Sequence, residues 1–103
     1  MVKHIVFYDH IDGLDDEEKK KNSIEIKSAL EGLVGVIPGL SQLMVYIDLL
    51  ESSDSDIVLY SLFDSNDSLK AYKDHPKHMD VAINTVRPRV KNHRCSDFFV
   101  GEA

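Results

Sequence analysis

The chain has little cysteine, glycine or proline. One cysteine, Cys95, leaves no partner for an internal disulfide and fits a reducing compartment. The five glycines are scattered at turn positions, so none forms the clustered loop that cradles a phosphate. No apolar run approaches the length of a membrane span, and the N-terminus shows no extended apolar stretch like that of a secretory leader. Positive charge is also short. With 12 basic and 18 acidic residues the formal net charge is −6, the wrong sign for a nucleic-acid surface. Arg87, Arg89, Lys91, His93 and Arg94 do gather, but over a short stretch that reads as a solvated helix end or strand edge. The composition predicts one soluble, cytoplasmic domain over residues 1–103, with no nucleic-acid or membrane partner.

The patterning predicts alternating elements. Val2 to His10 reads as a strand, with His4, Val6 and Tyr8 on one face and Lys3, Ile5, Phe7 and Asp9 on the other. Asp15 with Glu18 makes a capping box for a helix running to about Val34, whose later apolar stripe is Ile26, Ala29, Leu30, Leu33 and Val34. The run Lys19 to Lys21 is expected to face water. After Pro38-Gly39, a second strand is expected from Leu40 to Leu50, with Leu43, Val45, Ile47 and Leu49 on one face and Leu40, Met44, Tyr46 and Leu50 on the other. The polar run Glu51 to Asp56 is too short for a crossover, so Ile57 to Phe63 should return antiparallel. Asp64 to Asp67 offers N-cap chemistry for a short helix to about Lys73. A second helical piece carries Met79, Ala82, Ile83 and Val86 and ends at Pro88, and a last strand runs from about Asn92 to Val100 with Cys95 in the core.

The order β-α-β-β-α-β predicts an α+β, ferredoxin-like subunit with a four-stranded antiparallel sheet. Two helices cover one face of such a sheet. The first two strands are apolar on both faces, so a second copy is the natural cover, closing a dimeric α/β barrel.

The richest chemistry lies in Tyr72-Lys73-Asp74-His75-Pro76-Lys77-His78. Pro76 disfavours helix at His75 and favours a new helix at its own position. The resulting kink can aim a phenol and two imidazoles at one point, which makes Tyr72 and His78 candidates for acid–base work. The alternative is structural: His75-Pro76 and His78 order the loop, and Tyr72 packs with its hydroxyl in water. His75 and His78 have a His-x-x-His spacing, but no third ligand follows at a characteristic interval, so no metal is expected.

Four blocks together resemble the stress-responsive dimeric α/β-barrel (Dabb) family. They are Val2-Lys3-His4-Ile5-Val6, Ile37-Pro38-Gly39, Phe63-Asp64-Ser65 and the Tyr72 to His78 segment. The resemblance implies a homodimer joined through its sheets. It also implies a likeness to a polyketide cyclase of this type, which performs an aldol condensation without metal or cofactor. There, a histidine matching His78 acts as base, a tyrosine matching Tyr72 holds the activated carbonyl oxygen, and histidines matching His4 and His75 lie near the pocket. Tyr46, Asp48 and the stretch Cys95 to Phe99 depart from that pattern. The expected function is binding of a small hydrophobic or phenolic molecule between sheet and helices, lined by His4, Val6, Tyr8 and His75. Cofactor-free lyase chemistry through His78 and Tyr72, or a cofactor-free monooxygenase reaction, are the enzymatic alternatives.

Overall fold

Val2–His10 forms β1, the strand on which the sheet is built. It pairs antiparallel with β3 (Ile57–Phe63) on one side and β4 (Val90–Phe99) on the other. β2 (Leu40–Tyr46) pairs with β3, giving the order β2-β3-β1-β4. With α1 (Asp16–Glu31), α2 (Asn66–Asp74) and α3 (Pro76–Val81), this is the expected ferredoxin-like arrangement. The computed structural model describes residues 1–101.

Period-two alternation sets the layers. Val2, Val6 and Tyr8 of β1 and Ile57, Leu59 and Phe63 of β3 are buried beneath the helices. Ile26 and Leu30 of α1, and Leu69 and Tyr72 of α2, meet them from above. The capping box at Asp15 forms as expected, with Glu18 N donating to Asp15 Oδ1 at 2.8 Å and Asp15 N donating to Glu18 Oε1 at 3.2 Å. Lys19 to Lys21 are exposed. At its other end α1 is pinned to the sheet edge. Val45 N donates to Glu31 at 2.9 Å and Lys27 Nζ donates to Val45 O at 2.7 Å, which satisfies backbone groups that an edge strand otherwise leaves bare.

Four expectations need correction. α1 ends at Glu31, not Val34, because Gly32 caps it and the chain then turns through Gly35 at φ +84°, leaving Val34 exposed. β2 stops at Tyr46, and a register shift between Leu40 and Gln42 puts Leu40 on the buried face with Leu43 and Val45. The last strand begins at Val90, two residues earlier than expected. Cys95 is exposed and not in the core. It shares the helix-side face with Val6, its register partner, but β4 is an edge strand lying outside the roof that α1 and α2 form over β1–β3.

Between α3 and β4 the chain is not regular α-helix. Ala82–Val86 is a wide π-type turn in which Arg87 N–H donates to Ala82 O, and Arg87–Arg89 is a tight 3-10 turn. Arg89 anchors the arm, with its guanidinium 2.6 Å from Glu25 of α1 and 2.9 Å from Thr85 O.

Candidate functional site

His75 joins α2 to α3. Its backbone closes α2, and its imidazole Nδ1 accepts from Lys77 N at 3.1 Å, capping α3 in the manner that Pro76 at the first helical position allows. The same imidazole is therefore spent on the loop. His78 falls in the first turn of α3, and its Nδ1 lies 3.2 Å from Lys73 O at the end of α2. A carbonyl only accepts, so Nδ1 carries the proton and Nε2 is the bare nitrogen of the neutral ring.

Tyr72 lies under this junction, 1% exposed. Its ring stacks obliquely on His78 with centroids 4.2 Å apart and meets Phe63 edge-on at 5.0 Å. His4 approaches from the sheet, its ring 6.4 Å from both Phe63 and Tyr72. Register places Asp97 directly opposite His4 across β1 and β4, and His4 Nδ1 hydrogen-bonds its carboxylate. Lys73 Nζ reaches the other carboxylate oxygen at 3.4 Å.

A cleft of about 340 Å³ opens beside this cluster, between β1–β4 and the arm that runs from α3 to Arg89. Ala82, Val86 and Val90 form its apolar wall, while Tyr8, His78, Arg87 and His93 present polar groups. A bulge creates the Tyr8–His93 pair. Phe7 pairs with Arg94 and Asp9 with Lys91, so Asn92 and His93 together oppose Tyr8. Asn92 takes φ +55°, a conformation asparagine tolerates, and ties its amide to Asp9 at 2.9 Å. His93 is thereby aimed at the Tyr8 ring, 5.5 Å away.

Of the residues singled out in the sequence, Tyr8 and His78 line the cleft. Tyr72 and His4 stand behind His78, Val6 is sealed in the core, and His75 caps α3. Asp97, Arg87 and His93 carried no such signal. A period-two pattern cannot tell which β4 residue faces His4, nor that a bulge resets the alternation at Asn92. The basic cluster that contains Arg87 and His93 read as solvated surface.

For metal ligands, an imidazole nitrogen of His4, Cys95 Sγ and an Asp97 oxygen lie within 4.8 Å of one another. The His4–Asp97 hydrogen bond and the Lys73 ammonium already engage two of the three, His4 and Asp97. Among the described residues, His75 and His78 join no such group.

Burial fixes protonation states. It lowers the pKa of His78, and the nearby His4, Arg87 and His75 add to the fall against the opposing pull of the Lys73 carbonyl. Burial lowers His4 as well, although Asp97 pulls it upward. The Tyr8 phenol is pushed up to about 12 by burial and then by Cys95. Burial raises Tyr72 further, with Tyr8 contributing. Both phenols are thus protonated donors at neutral pH. His10 is lowered too, again first by burial. Three histidines whose folded values sit below the ordinary 6.5 bind protons less readily than in the unfolded chain. Their stabilising contribution is therefore present above that value and lost as pH falls through it. The melting temperature should decline on acidification from about pH 7 to about pH 5. A rise over that interval would contradict the neutral assignments.

An α+β sandwich of this topology, with an imidazole-bearing cleft at the open end of its roof, defines a ferredoxin-like subunit. The model of the Stress responsive A/B Barrel Domain family (Dabb) matches residues 2–100, and the chain belongs to that family. No curated protein matches it by sequence. Among solved structures, a dimeric ferredoxin-like protein of unknown function from Bacteroides fragilis is 31% identical, with TM-score 0.84, covering 94% of this chain and 93% of that one. A Dabb family protein from Mesorhizobium loti is 18% identical with TM-score 0.73, covering 98% and 97%. A hydroxynitrile lyase from Passiflora edulis is 18% identical with TM-score 0.78, covering 99% and 94%, a likeness of fold. No helix among the described residues is long and apolar enough to cross a membrane.

Proposed function

We propose that the cleft binds a small, largely apolar molecule bearing a hydrogen-bonding oxygen. The observation that carries this is the pairing of an apolar wall (Ala82, Val86, Val90) with three hydrogen-bonding rings (Tyr8, His78, His93). Such sites combine apolar lining with a few polar groups that fix orientation, and about 340 Å³ is at the small end of their range. The test is thermal stabilisation by simple phenols and β-diketones. Val86→Trp, which fills the cleft, should abolish the shift. His78→Ala should weaken binding by about 1–2 kcal/mol, the worth of one hydrogen bond, and Tyr72→Phe should leave it unchanged. Shifts that survive Val86→Trp would sink the reading.

Acid–base chemistry is the second reading, favoured by the state of His78. A neutral imidazole with Nδ1–H tied to Lys73 O offers Nε2 as a base, the orientation that general-base catalysis needs. In that case the phenol able to stabilise a developing oxyanion from the cleft is Tyr8, and Tyr72 positions His78 from behind. A cofactor-free lyase step would then depend on Tyr8 and His78 and tolerate Tyr72→Phe.

The same proposal includes a homodimer joined by the free face of the sheet. That face carries Ile5, Phe7, Val58, Tyr60 and Leu62 at its centre, with Met44 45%, Tyr46 46% and Phe98 45% exposed around them. A broad depression of about 540 Å³ over Phe7 and Val58 belongs to this face and would be buried by a partner. Sedimentation of the wild type at micromolar concentration should give a dimer, and Tyr60→Asp at the centre should give a folded monomer. A wild-type monomer contradicts it.

A further inference from the structure

We infer that the ligand of this cleft is an amphipathic monocarboxylate, with its carboxylate on the Arg87 guanidinium at the mouth and its apolar body against Val86 and Val90. This rests on the cleft being a binding site, and it adds the chemical class of the occupant.

The lining holds one guanidinium, one ammonium and two imidazoles, and no carboxylate. Most of the positive charge near it is already matched. Lys91 Nζ lies 2.6 Å from Asp12. Of the three arginines, Arg89 is paired with Glu25 at 2.6 Å and Arg94 lies 3.6 Å from Asp9. Arg87 forms no ion pair among the described residues. In a chain of net charge −6, an arginine left unmatched beside a concave apolar wall is conspicuous. The wide turn carries it there, since Arg87 follows Val86 directly and its own N–H closes the π-type hydrogen bond to Ala82. It lines the same cleft as the Tyr8 phenol and the His78 imidazole, and its charge bears on both.

A planar guanidinium fits a planar carboxylate by two parallel hydrogen bonds, with more geometric selectivity than a lysine offers. The cleft volume and the apolar wall set the rest of the molecule at a single ring or a short chain. A larger anion would spill out past Arg87, which is itself exposed.

The probes are benzoate and hexanoate, their neutral isosteres benzamide and hexanamide, and inorganic phosphate, each titrated calorimetrically into the full chain. The carboxylates should bind about tenfold or more tightly than the amides, the size of one charge-assisted contact at a partly exposed site. Arg87→Gln should remove that preference by lowering carboxylate affinity far more than amide affinity, and Arg87→Lys should keep only part of it. Equal affinity for acid and amide, or equal loss of both in Arg87→Gln, overturns the carboxylate assignment and leaves the cleft as a neutral site. Phosphate binding as tightly as benzoate overturns it in favour of a bare anion site. Failure of every probe, or binding that persists in Val86→Trp, overturns the cleft reading and this inference together.

Discussion

Tyr72→Ala should cost about 3–5 kcal/mol of folding stability, the range for removing a large aromatic from a packed core. Tyr72→Phe should cost less than about 1 kcal/mol, because it removes only a hydroxyl. Tyr72 is 1% exposed and holds α2 against β3 through Phe63, β1 through His4 and α3 through His78. Deleting its ring leaves a cavity where four elements meet. The hydroxyl forms no hydrogen bond within the protein among the described residues, so it adds little that folding depends on. Since domains of this kind hold roughly 5–15 kcal/mol in all, the alanine variant approaches the unfolding threshold. Urea denaturation at fixed protein concentration measures both values, the concentration being held because a dimer's stability depends on it. Equal losses in the two variants would mean that the hydroxyl carries the interaction and that the packing account is wrong.

The second large effect is expected at Gly39. Gly39→Ala should cost about 2–5 kcal/mol, adding backbone strain to overpacking. The residue sits at φ +82°, and a Cβ there would overlap the Ser68 side chain and come within 2.9 Å of Asp64 Oδ1. Ser68 cannot simply swing away. Its N–H donates to Ser65 Oγ at 3.1 Å, the N-cap of α2, and its hydroxyl bonds Asp64. Asp64 N in turn donates to Gly39 O at 3.0 Å, so the turn before β2 and the start of α2 form one knot. Gly35 supplies the control. It has φ +84° with open space around it, so Gly35→Ala should cost only about 1–2 kcal/mol. Denaturation midpoints of the two alanine variants compare them directly. Equal costs would remove the steric part of the argument.

The fold was legible because its signals are local and repeated. Alternation in Val2–His10 and Ile57–Phe63, the Asp15 capping box and the Pro76 break each rest on a short stretch of chain. Where the sequence misled, the cause was an interruption of period. One register shift moved Leu40 to the buried face, and one bulge aimed His93 at Tyr8. The candidate site was only partly legible. The Tyr72 to His78 segment advertised its chemistry by residue type, yet His75 serves as a cap and Tyr72 as packing. Arg87 and Asp97 were hidden because their importance comes from cross-strand register and from the shape of a turn, which no spacing rule encodes. Cys95 misled for a related reason: its apolar neighbours Phe98 and Phe99 lie on an edge strand beyond the helical roof.

The π-type turn at Ala82–Val86 also works as an index for everything after it. An α-helix advances about 100° per residue around its axis. Deleting one residue from the wide turn would let it rewind to ordinary helix and rotate the downstream chain by roughly that angle. Arg87 would swing off the cleft, and Val86 would shift with it, while Tyr8 and His78 stayed in place. The length of this segment, and not only its composition, therefore sets whether Arg87 stands beside the cleft.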